Sequence, residues 1–470
     1  MRGNRAAAPD VFLSMNRRSR RHRRAARRRF TTFSALALVT VVAVFTSLAA
    51  TGSADADGTS SVDHYSAGVD ASVADIQQFW SDHLPDTYGV TYRSIPSDRL
   101  FAFSESDPPP SCDAGGRRTT PYEDVKGNAF YCSSGDFVAW DEQVLFSKLR
   151  RQFGEFAVAL VLAHEWGHAI QARTDTQLGA TVYIEMQADC FAGAWTRHVA
   201  NATHTSLRLG SDDLDTALGG FLVFRDPLGT DGGQSGAHGN AFDRVSAFQD
   251  GYREGVSACR SYEDSPPDVT ETGFTSRRDA ASGGNAPVDK IQKLVVDDVS
   301  DYWTQELGKR APTPKVVAYQ HRAPNCSGAS DGGVIDGGAT YCSSTNTIAF
   351  DRAAFDQLYS DVGDFGAGML LAAGWSSAVQ HAQGQQIGTD TARLRADCLT
   401  GAWTGSVAGG DRATADGRGA VLSAGDLDEA IRTFTVAGSG DRRTGRGSAF
   451  TRVAAFRTGF TDGPGACRTL

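Results

Sequence analysis

The sequence predicts an α+β fold made of two tandem, homologous, helix-dominated domains with short strands. Long apolar segments have the three-to-four-residue spacing of helices, and only short segments on either side of a Ser-Ser-Gly-Asp turn have strand character. The chain of 470 residues also repeats itself once at long range. Such a repeat indicates a duplicated domain rather than a solenoid, and the length suffices for two domains.

The N-terminal 56 residues predict an export segment. Residues 1–29 contain eleven arginines and no lysine, and residues 33–50 form an uncharged run of eighteen. Together with the small residues that follow, this is the pattern of a secretory signal peptide, for which Met15 is a plausible start. An uncleaved membrane anchor is the alternative, since eighteen apolar residues can just span a bilayer. Either version places the rest of the chain outside the cytoplasm.

The charge of the chain is unevenly distributed. The net charge is −9, and residues 1–56 contribute +9, so the remainder carries −18. An acidic remainder argues against binding to nucleic acid or anionic lipid through bulk electrostatics. We expect no nucleic-acid partner, and membrane contact only through the N-terminal segment.

The periodicity predicts the elements of the first domain. Helices are expected at residues 73–83, 142–152, 155–173, 181–200, 212–224 and 241–257. Short strands are expected at residues 128–132 and 137–141.

The motif that organises the first domain is His164-Glu165-Trp166-Gly167-His168. Residues four apart share one face of a helix, so His164 and His168 can present two imidazoles to one metal ion, with Glu165 beside it. This is the His-Glu-x-x-His pattern of zinc peptidases, in which the histidines bind Zn²⁺ and the glutamate acts on a water. The alternative is an ordinary helix whose histidines form hydrogen bonds.

A second predicted helix offers further polar groups. Glu185 and Asp189 lie four residues apart and are flanked by Ala188 and Cys190, which disfavours the alternative of a fully solvated helix face. Glu185 is the natural third ligand, because three protein ligands leave a position for water, as a catalytic zinc site requires. Asp189 could accept the free ring N–H of a ligating histidine.

The order of several motifs resembles that of the bacterial neutral zinc metallopeptidase family. The blocks are Phe-Tyr-Cys at 130–132, His-Glu-Trp-Gly-His-Ala-Ile-Gln at 164–171, Glu-x-x-x-Asp-Cys at 185–190 and a closing segment at 237–259. The resemblance covers about residues 75–260. It implies a zincin-like domain with a gluzincin-type site, and hydrolysis of a peptide or protein substrate by a metal-activated water. In that mechanism Glu165 is the general base.

The second part of the chain repeats the first with a period of about 209 residues. The recurring segments are 130–134 with 340–344, 154–156 with 363–365, 188–195 with 396–403 and 241–259 with 449–467. We therefore expect a peptidase-like domain at 61–260 and a second copy at 288–470. Residues 261–287 are rich in Ser, Pro, Asp, Gly and Thr, and are expected to form a flexible linker.

The second copy has lost every candidate metal ligand. In an alignment through Trp166 and Trp375, the replacements are His164 by Ala373, Glu165 by Gly374, His168 by Ser377 and Glu185 by Arg393. An arginine at the last position would repel a dication. We expect no zinc in the second domain, which is then a pseudo-peptidase with a regulatory or binding role.

The same alignment separates the other polar candidates. Asp189 persists as Asp397, so part of its role is expected to be structural. His238 is replaced by Arg446, together with the zinc ligands, and is therefore a candidate catalytic residue that stabilises the oxyanion or orients substrate. The alternative is a surface histidine in a glycine-rich loop.

The cysteines lie at equivalent positions in the two copies, which in an exported chain favours disulfides over thiol chemistry. Four cysteines per domain allow three pairings, and the sequence alone does not choose among them. In each domain we favour one disulfide between the first and second cysteines and another between the third and fourth. In the first domain, the second of these bonds would tie the Glu185 helix to the His238 segment. A cysteine zinc site is disfavoured, since the chain has no Cys-x-x-Cys pair. The candidates are Cys112, Cys132, Cys190, Cys259, Cys326, Cys342, Cys398 and Cys467.

A non-enzymatic function is the alternative to peptide hydrolysis. The chain could be a cell-surface binding or scaffold protein built on a peptidase fold, with the second domain as its working part. Such a protein would release no fragments from a peptide library in a chelator-sensitive way.

Overall fold

A computed structural model of the chain describes residues 68–112, 118–202, 207–270, 272–320, 322–327, 330–331, 338–409, 420–438 and 448–470. The predicted signal or anchor, residues 1–56, lies outside this described part. Within it, none of the helices has the length and apolar character needed to cross a membrane.

The first half, residues 68–270, has the predicted α+β character. Its helices are α1 (Val69–Tyr88), α2 (Tyr122–Val125), α3 (Ser147–Thr174), α4 (Thr181–Asn201), α5 (Ser211–Phe224), α6 (Ala241–Glu254) and α7 (Val256–Ser261). Its strands are β1 (Leu100–Phe103), β2 (Ala129–Cys132) and β3 (Phe137–Asp141). The predicted helices at 73–83, 181–200 and 212–224 are therefore present, as is the predicted hairpin.

Helix α3 carries the histidine motif and is interrupted at a glycine. Gly154 has φ 76° and ψ −178°, a conformation that glycine adopts without the steric cost of a side chain. The break separates the two helices expected at 142–152 and 155–173. The first of these begins differently from the prediction, as a π-helical turn at Glu142–Phe146, where the Asp141 carboxylate accepts the N–H groups of Gln143 and Val144.

Three strands form a sheet in the order β1-β3-β2 beside α3. Strands β2 and β3 are the antiparallel hairpin that the sequence predicts. Strand β1 pairs in parallel with β3 and was not predicted, because its four apolar or aromatic residues lack the alternation of a half-buried strand. Since β2 has β3 on one side only, it is an edge strand facing α3.

The prediction of one helix at 241–257 is wrong in one respect, because the structure has two helices that meet at Gly255. This residue has φ 80° and its N–H donates to the Gly251 carbonyl, a typical glycine termination of a helix. The chain continues as α7, which carries Cys259.

Helices α4 and α6 approach each other more closely than side chains would allow. A Cβ atom on Gly193 would lie 2.0 Å from the Phe248 carbonyl oxygen, and one on Gly251 would lie 1.8 Å from that of Cys190. Both glycines are therefore required by packing, and any larger residue would force the helices apart.

The second half, residues 272–470, contains the same order of main elements. Its helices are α8 (Arg277–Ala281), α9 (Val288–Leu307), α10 (Arg352–Asp361), α11 (Asp364–Ala382), α12 (Asp390–Ala408), α13 (Asp426–Gly438) and α14 (Ala449–Asp462). Its strands are β4 (Lys315–Tyr319), β5 (Ser330–Asp331), β6 (Ala339–Cys342) and β7 (Thr347–Asp351). Strand β4 is parallel to β7, and β6 is antiparallel to it, as in the first half.

Two buried contacts recur in corresponding places in the halves. The Trp195 indole N–H donates to Asp75 of α1 at 2.8 Å, and the Trp403 indole N–H donates to Asp298 of α9 at the same distance. Each bond satisfies a buried tryptophan donor while its ring fills the core.

The eight cysteines form four disulfides, in the arrangement that we favoured from the sequence. The pairs are Cys112–Cys132, Cys190–Cys259, Cys326–Cys342 and Cys398–Cys467. The second pair joins α4 to α7, and the fourth joins α12 to the C-terminal turn. Both of these bonds link residues separated by 69 positions.

The two halves share one hydrophobic core and meet through α5, α6, α13 and α14. Asp215 on α5 accepts the backbone N–H of Phe450 at the start of α14, at 2.8 Å. Asp428 on α13 accepts the N–H of Ala241 at the start of α6, at 2.9 Å. Each half therefore caps a helix of the other. Phe248 and Phe450 pack edge-to-face beside these caps.

The segment expected to be a flexible linker forms specific hydrogen bonds to both halves. The Asn240 amide donates to the Thr270 carbonyl, and the Thr270 N–H donates to Asp243, both at 2.9 Å. Farther along, the Asn285 side chain accepts the Asp364 N–H at 2.8 Å. Side-chain hydrogen bonds thus fix parts of the segment 261–287, whose composition alone predicted a flexible linker. The predicted domain boundaries, 61–260 and 288–470, stay predictions.

Candidate metal centre

Helices α3 and α4 bring three potential ligands together. The Nε2 atoms of His164 and His168 lie 3.1 Å apart. Glu185 places Oε2 3.3 Å from the first of these atoms and Oε1 3.6 Å from the second. Ligand atoms about 2.0–2.1 Å from a tetrahedral zinc ion would be separated by roughly 3.3 Å. The donor set and its spacing therefore fit Zn²⁺, with one position left for water.

A glycine within the motif allows this convergence. A Cβ atom on Gly167 would lie 2.8 Å from the Cα of Ala188 on α4. The absence of a side chain lets α4 pack directly on α3, one turn away from Glu185. Close packing of the two helices is what brings the Glu185 carboxylate within reach of both imidazoles.

Each histidine ring is held through its other nitrogen. His164 Nδ1 lies 2.7 Å from Asp189 Oδ1, and His168 Nδ1 lies 2.9 Å from Gln171 Oε1. An Nδ1–H that donates to these oxygens leaves Nε2 free to bind a metal. The Gln171 amide nitrogen donates to the Ile184 carbonyl at 2.7 Å, which fixes the direction of its oxygen. The sequence-based prediction missed this role of Gln171, although its position three residues after His168 on one helix was the available signal.

Arg244 on α6 fixes Asp189 in turn. Its Nε lies 2.7 Å from Asp189 Oδ2 and its Nη2 lies 2.9 Å from Oδ1, with both side chains buried. The sequence-based prediction missed Arg244. The available signal was that Arg244 recurs in the second half as Arg452. That residue forms the same bidentate pair with Asp397, at 2.8 and 2.9 Å.

The carboxylates of Glu185 and Asp189 make the space beside the two histidines strongly favourable for positive charge. Burial alone would lower the pKa of His164, but Asp189 and Glu185 outweigh burial and raise that pKa to about 10. Burial would raise the pKa of Glu185, but His168 and His164 hold it well below its usual range. Groups that stabilise a charged imidazole so strongly would also balance the charge of a dication.

Glu165 lies beside the three candidate ligands, with 6% of its surface exposed. Its Oε2 accepts the backbone N–H of Tyr131, on edge strand β2, at 2.8 Å. Among the residues that the structure describes, none donates a hydrogen bond to the other oxygen, Oε1. The strand therefore orients the carboxylate and leaves one oxygen for a water or substrate proton.

Comparison with known proteins relates part of this chain to one family. Residues 36–262 match the model of a family described as putative neutral zinc metallopeptidases. This part of the chain belongs to that family. The family name implies zinc, which the ligand geometry fits.

The relatives of this neutral zinc metallopeptidase segment add no substrate. Uncharacterized proteins of Mycobacterium bovis and of two Mycobacterium tuberculosis strains are 29% identical to the chain over 151 residues, which is 27% of this chain and 52% of each relative. The chain thus spans about half the length of the curated relatives that it matches. No solved structure matches the chain.

His238 is the one proposed site residue that the structure does not join to the metallopeptidase ligands. Its Nδ1 lies 3.3 Å from Asp226 Oδ1, and its backbone N–H also donates to that carboxylate. The loop nevertheless contacts the start of α4, where the Gly236 N–H donates to Thr181 Oγ1 at 3.2 Å. Arg446, the counterpart of His238, lies outside the described residues. The catalytic role of His238 stays a prediction.

We predict that His238→Ala lowers kcat/KM for a cleavable peptide by about tenfold or more, because it removes the side chain expected to stabilise the oxyanion or orient substrate. Steady-state kinetics with the full chain measure the effect. His198→Ala, which changes a histidine near the far end of α4, is the matched control. Unchanged kcat/KM in His238→Ala would leave His238 as a surface residue of its loop.

The corresponding place on α11 is filled by apolar packing. Ala373 and Ser377 are buried, and a Cβ atom on Gly374 would lie 2.7 Å from Ile348 Cγ2. Ile348, on β7, thus occupies the space beside this helix. Arg393 pairs with Asp390, one turn away on α12.

Proposed function

We propose that this protein is an exported zinc-dependent peptidase whose first domain hydrolyses peptide bonds. The observation that carries the proposal is the convergence of His164, His168 and Glu185 at the spacing of a tetrahedral zinc site, with the Glu165 carboxylate beside it. The family match supports the reaction class.

In this proposal, His164, His168 and Glu185 hold Zn²⁺, which supplies Lewis acidity that polarises the scissile carbonyl and lowers the pKa of a water. Glu165 accepts the proton of the attacking water at Oε1 and returns it to the leaving amine. The Tyr131 N–H keeps Oε2 engaged during both transfers, so the same oxygen serves as base and then as acid.

We further propose that the second half is a non-catalytic duplicate with a regulatory or binding role. The shared order of elements supports duplication, as do the equivalent pairs Arg244–Asp189 and Arg452–Asp397. Ile348, packed against α11, supports the absence of catalysis there.

An extracytoplasmic location completes the proposal. Four disulfides are typical of proteins that fold in an oxidising compartment. The predicted signal or anchor at residues 1–56 would deliver the chain there.

The test combines metal analysis with cleavage of a peptide library by the full chain. We expect about one zinc per chain, and release of fragments that stops on chelation and returns with added Zn²⁺. His168→Ala should lose both zinc and cleavage. His381→Ala, a histidine substitution on α11 of the second half, should retain both. A chain that binds zinc but releases no fragments would contradict the proposal and favour a binding or scaffold protein.

A further inference from the structure

A second group of potential ligands lies in the second half, at the starts of α11 and α13. Asp364, Asp426 and Glu429 each offer a carboxylate oxygen, and these oxygens all lie within 4.8 Å of one another. Asp426 is only 5% exposed. Carboxyl groups so close together and so poorly hydrated are costly unless something balances their charge.

Each of these carboxyl groups already uses one oxygen to accept a backbone N–H. The bonds run from Ala286 to Asp364 Oδ2 at 2.8 Å, from Ser423 to Asp426 Oδ2 at 2.7 Å and from Phe365 to Glu429 Oε2 at 2.9 Å. These bonds account for one oxygen of each group and restrict the orientation of the other.

The remaining oxygens of the two aspartates have no partner. Asp364 Oδ1 and Asp426 Oδ1 are buried and accept no hydrogen bond. Buried acceptors are nearly always satisfied in folded proteins, so two unsatisfied oxygens in one cluster indicate a missing partner such as a bound ion. This observation is independent of the clustering of acidic residues.

The backbone is arranged to admit Glu429 to the cluster. Gly363 has φ 143°, and a Cβ atom on it would lie 1.9 Å from Glu429 Oε1. Only glycine therefore permits this conformation with the glutamate in place. In the first half Glu155 keeps a carboxylate at the position of Asp364, but Thr216 stands at the position of Glu429. Among the described residues, the first half therefore has no such group of three carboxylates.

The neighbours of these groups add negative charge. Burial is the largest cause that raises the pKa of Asp364, and the charge of Asp279 raises it further. Burial also raises the pKa of Asp426, and the charges of Asp364 and Asp279 help to bring it well above its usual range. Burial, Asp364 and Asp426 raise the pKa of Glu429 to about 9. Within the described part of the chain, no ion pair joins the cluster to a lysine or an arginine. A divalent cation would supply the balancing charge.

We propose that Asp364, Asp426 and Glu429 bind a hard divalent cation of the Ca²⁺ class. An all-carboxylate donor set suits Ca²⁺ or Mg²⁺ rather than Zn²⁺. Ca²⁺ accepts carboxylate oxygens in flexible geometry, whereas Mg²⁺ demands near-ideal octahedral geometry and keeps several waters, so three carboxylates already held by backbone hydrogen bonds suit Ca²⁺ better.

The position of the site indicates what the ion would do. Asp364 is bonded to Ala286 and Asn285, at the end of the segment that connects the halves. Asp426 and Glu429 belong to α13, which packs against the first half. Bound Ca²⁺ would therefore fasten the connecting segment to α11 and α13 and stabilise the junction.

The test uses the full chain with its zinc bound, titrated with Ca²⁺ by calorimetry and followed by the shift of Tm. We expect Ca²⁺ to bind and to raise Tm. Glu429→Gln retains an oxygen for the Phe365 N–H but loses the charge, and should weaken Ca²⁺ binding by about tenfold or more and abolish the Tm shift. Glu155→Gln, at the position that corresponds to Asp364 in the first half, should bind Ca²⁺ like the wild type.

Two results would overturn the site. One is a wild-type chain that neither binds Ca²⁺ or Mg²⁺ nor shows a Tm shift with them. The other is wild-type Ca²⁺ affinity in Glu429→Gln and in a second variant, Asp426→Asn, each checked for folding by circular dichroism. Zinc content and peptide cleavage, measured on the same samples, test the proposed function separately, because neither substitution touches the zinc ligands.

Discussion

Glutamine in place of Glu165 is expected to lower kcat for peptide hydrolysis by about 10²–10⁴-fold, while the chain keeps its zinc. The amide has the same shape as the carboxylate, and its oxygen can still accept the Tyr131 N–H. It cannot take a proton from water, so the step that generates the nucleophile loses its base. Metal analysis and single-turnover cleavage of one peptide measure the two parts of this expectation.

Glu155→Gln is the matched control for this experiment. It makes the same chemical change on the same helix, at a partly exposed carboxylate paired with Arg150. It should leave both zinc content and kcat unchanged. Full activity in Glu165→Gln would show that another group is the base. If that variant loses zinc, the rate per bound zinc separates a role in catalysis from a role in binding.

The parts of the site that the sequence predicted are those governed by helical spacing. His164 and His168 share a face of α3 because they are four residues apart, and Glu185 shares a face of α4 with Asp189 for the same reason. Within one helix, separation along the chain fixes separation in space. The meeting of the two helices required more, namely the close approach at Gly167, which sequence periodicity does not contain.

The parts that the sequence did not predict depend on distant segments. Arg244 reaches Asp189 from a helix 55 positions along the chain, and strand β1 finds its partner in β3 across an intervening loop. The cluster of Asp364 with Asp426 and Glu429 joins the starts of two helices that no spacing rule connects. Such contacts are set by the tertiary packing of elements rather than by local pattern.

The contact between the halves gives physical support to the proposed duplication. Asp215 caps α14 and Asp428 caps α6, so each half contributes the same kind of group to the other. Two copies of one surface that meet about a two-fold axis make every contact twice. A junction of this kind is what fusion of two such domains would retain.

Substitution of Asp189 or Asp397, the two aspartates that form buried ion pairs with arginine, by asparagine is expected to destabilise the protein severely. Asp189→Asn leaves Arg244 buried without a counter-charge, and Asp397→Asn does the same to Arg452. Removing one partner of a buried ion pair costs about 3–5 kcal/mol. Denaturant unfolding of the full chain should therefore show a similar loss of stability in both variants.

The two variants should differ in zinc affinity, and this difference separates the structural from the metal-related role of the aspartate. Only Asp189 accepts a hydrogen bond from a candidate zinc ligand, His164, so only Asp189→Asn should weaken zinc binding, by about 10–100-fold. Competition with a chelator measures the zinc affinity in the absence of denaturant, under conditions where both variants are folded. Wild-type zinc affinity in both variants would mean that Asp189 serves the fold alone. The same loss of affinity in both variants would mean that stability, rather than orientation of the His164 ring, controls metal binding.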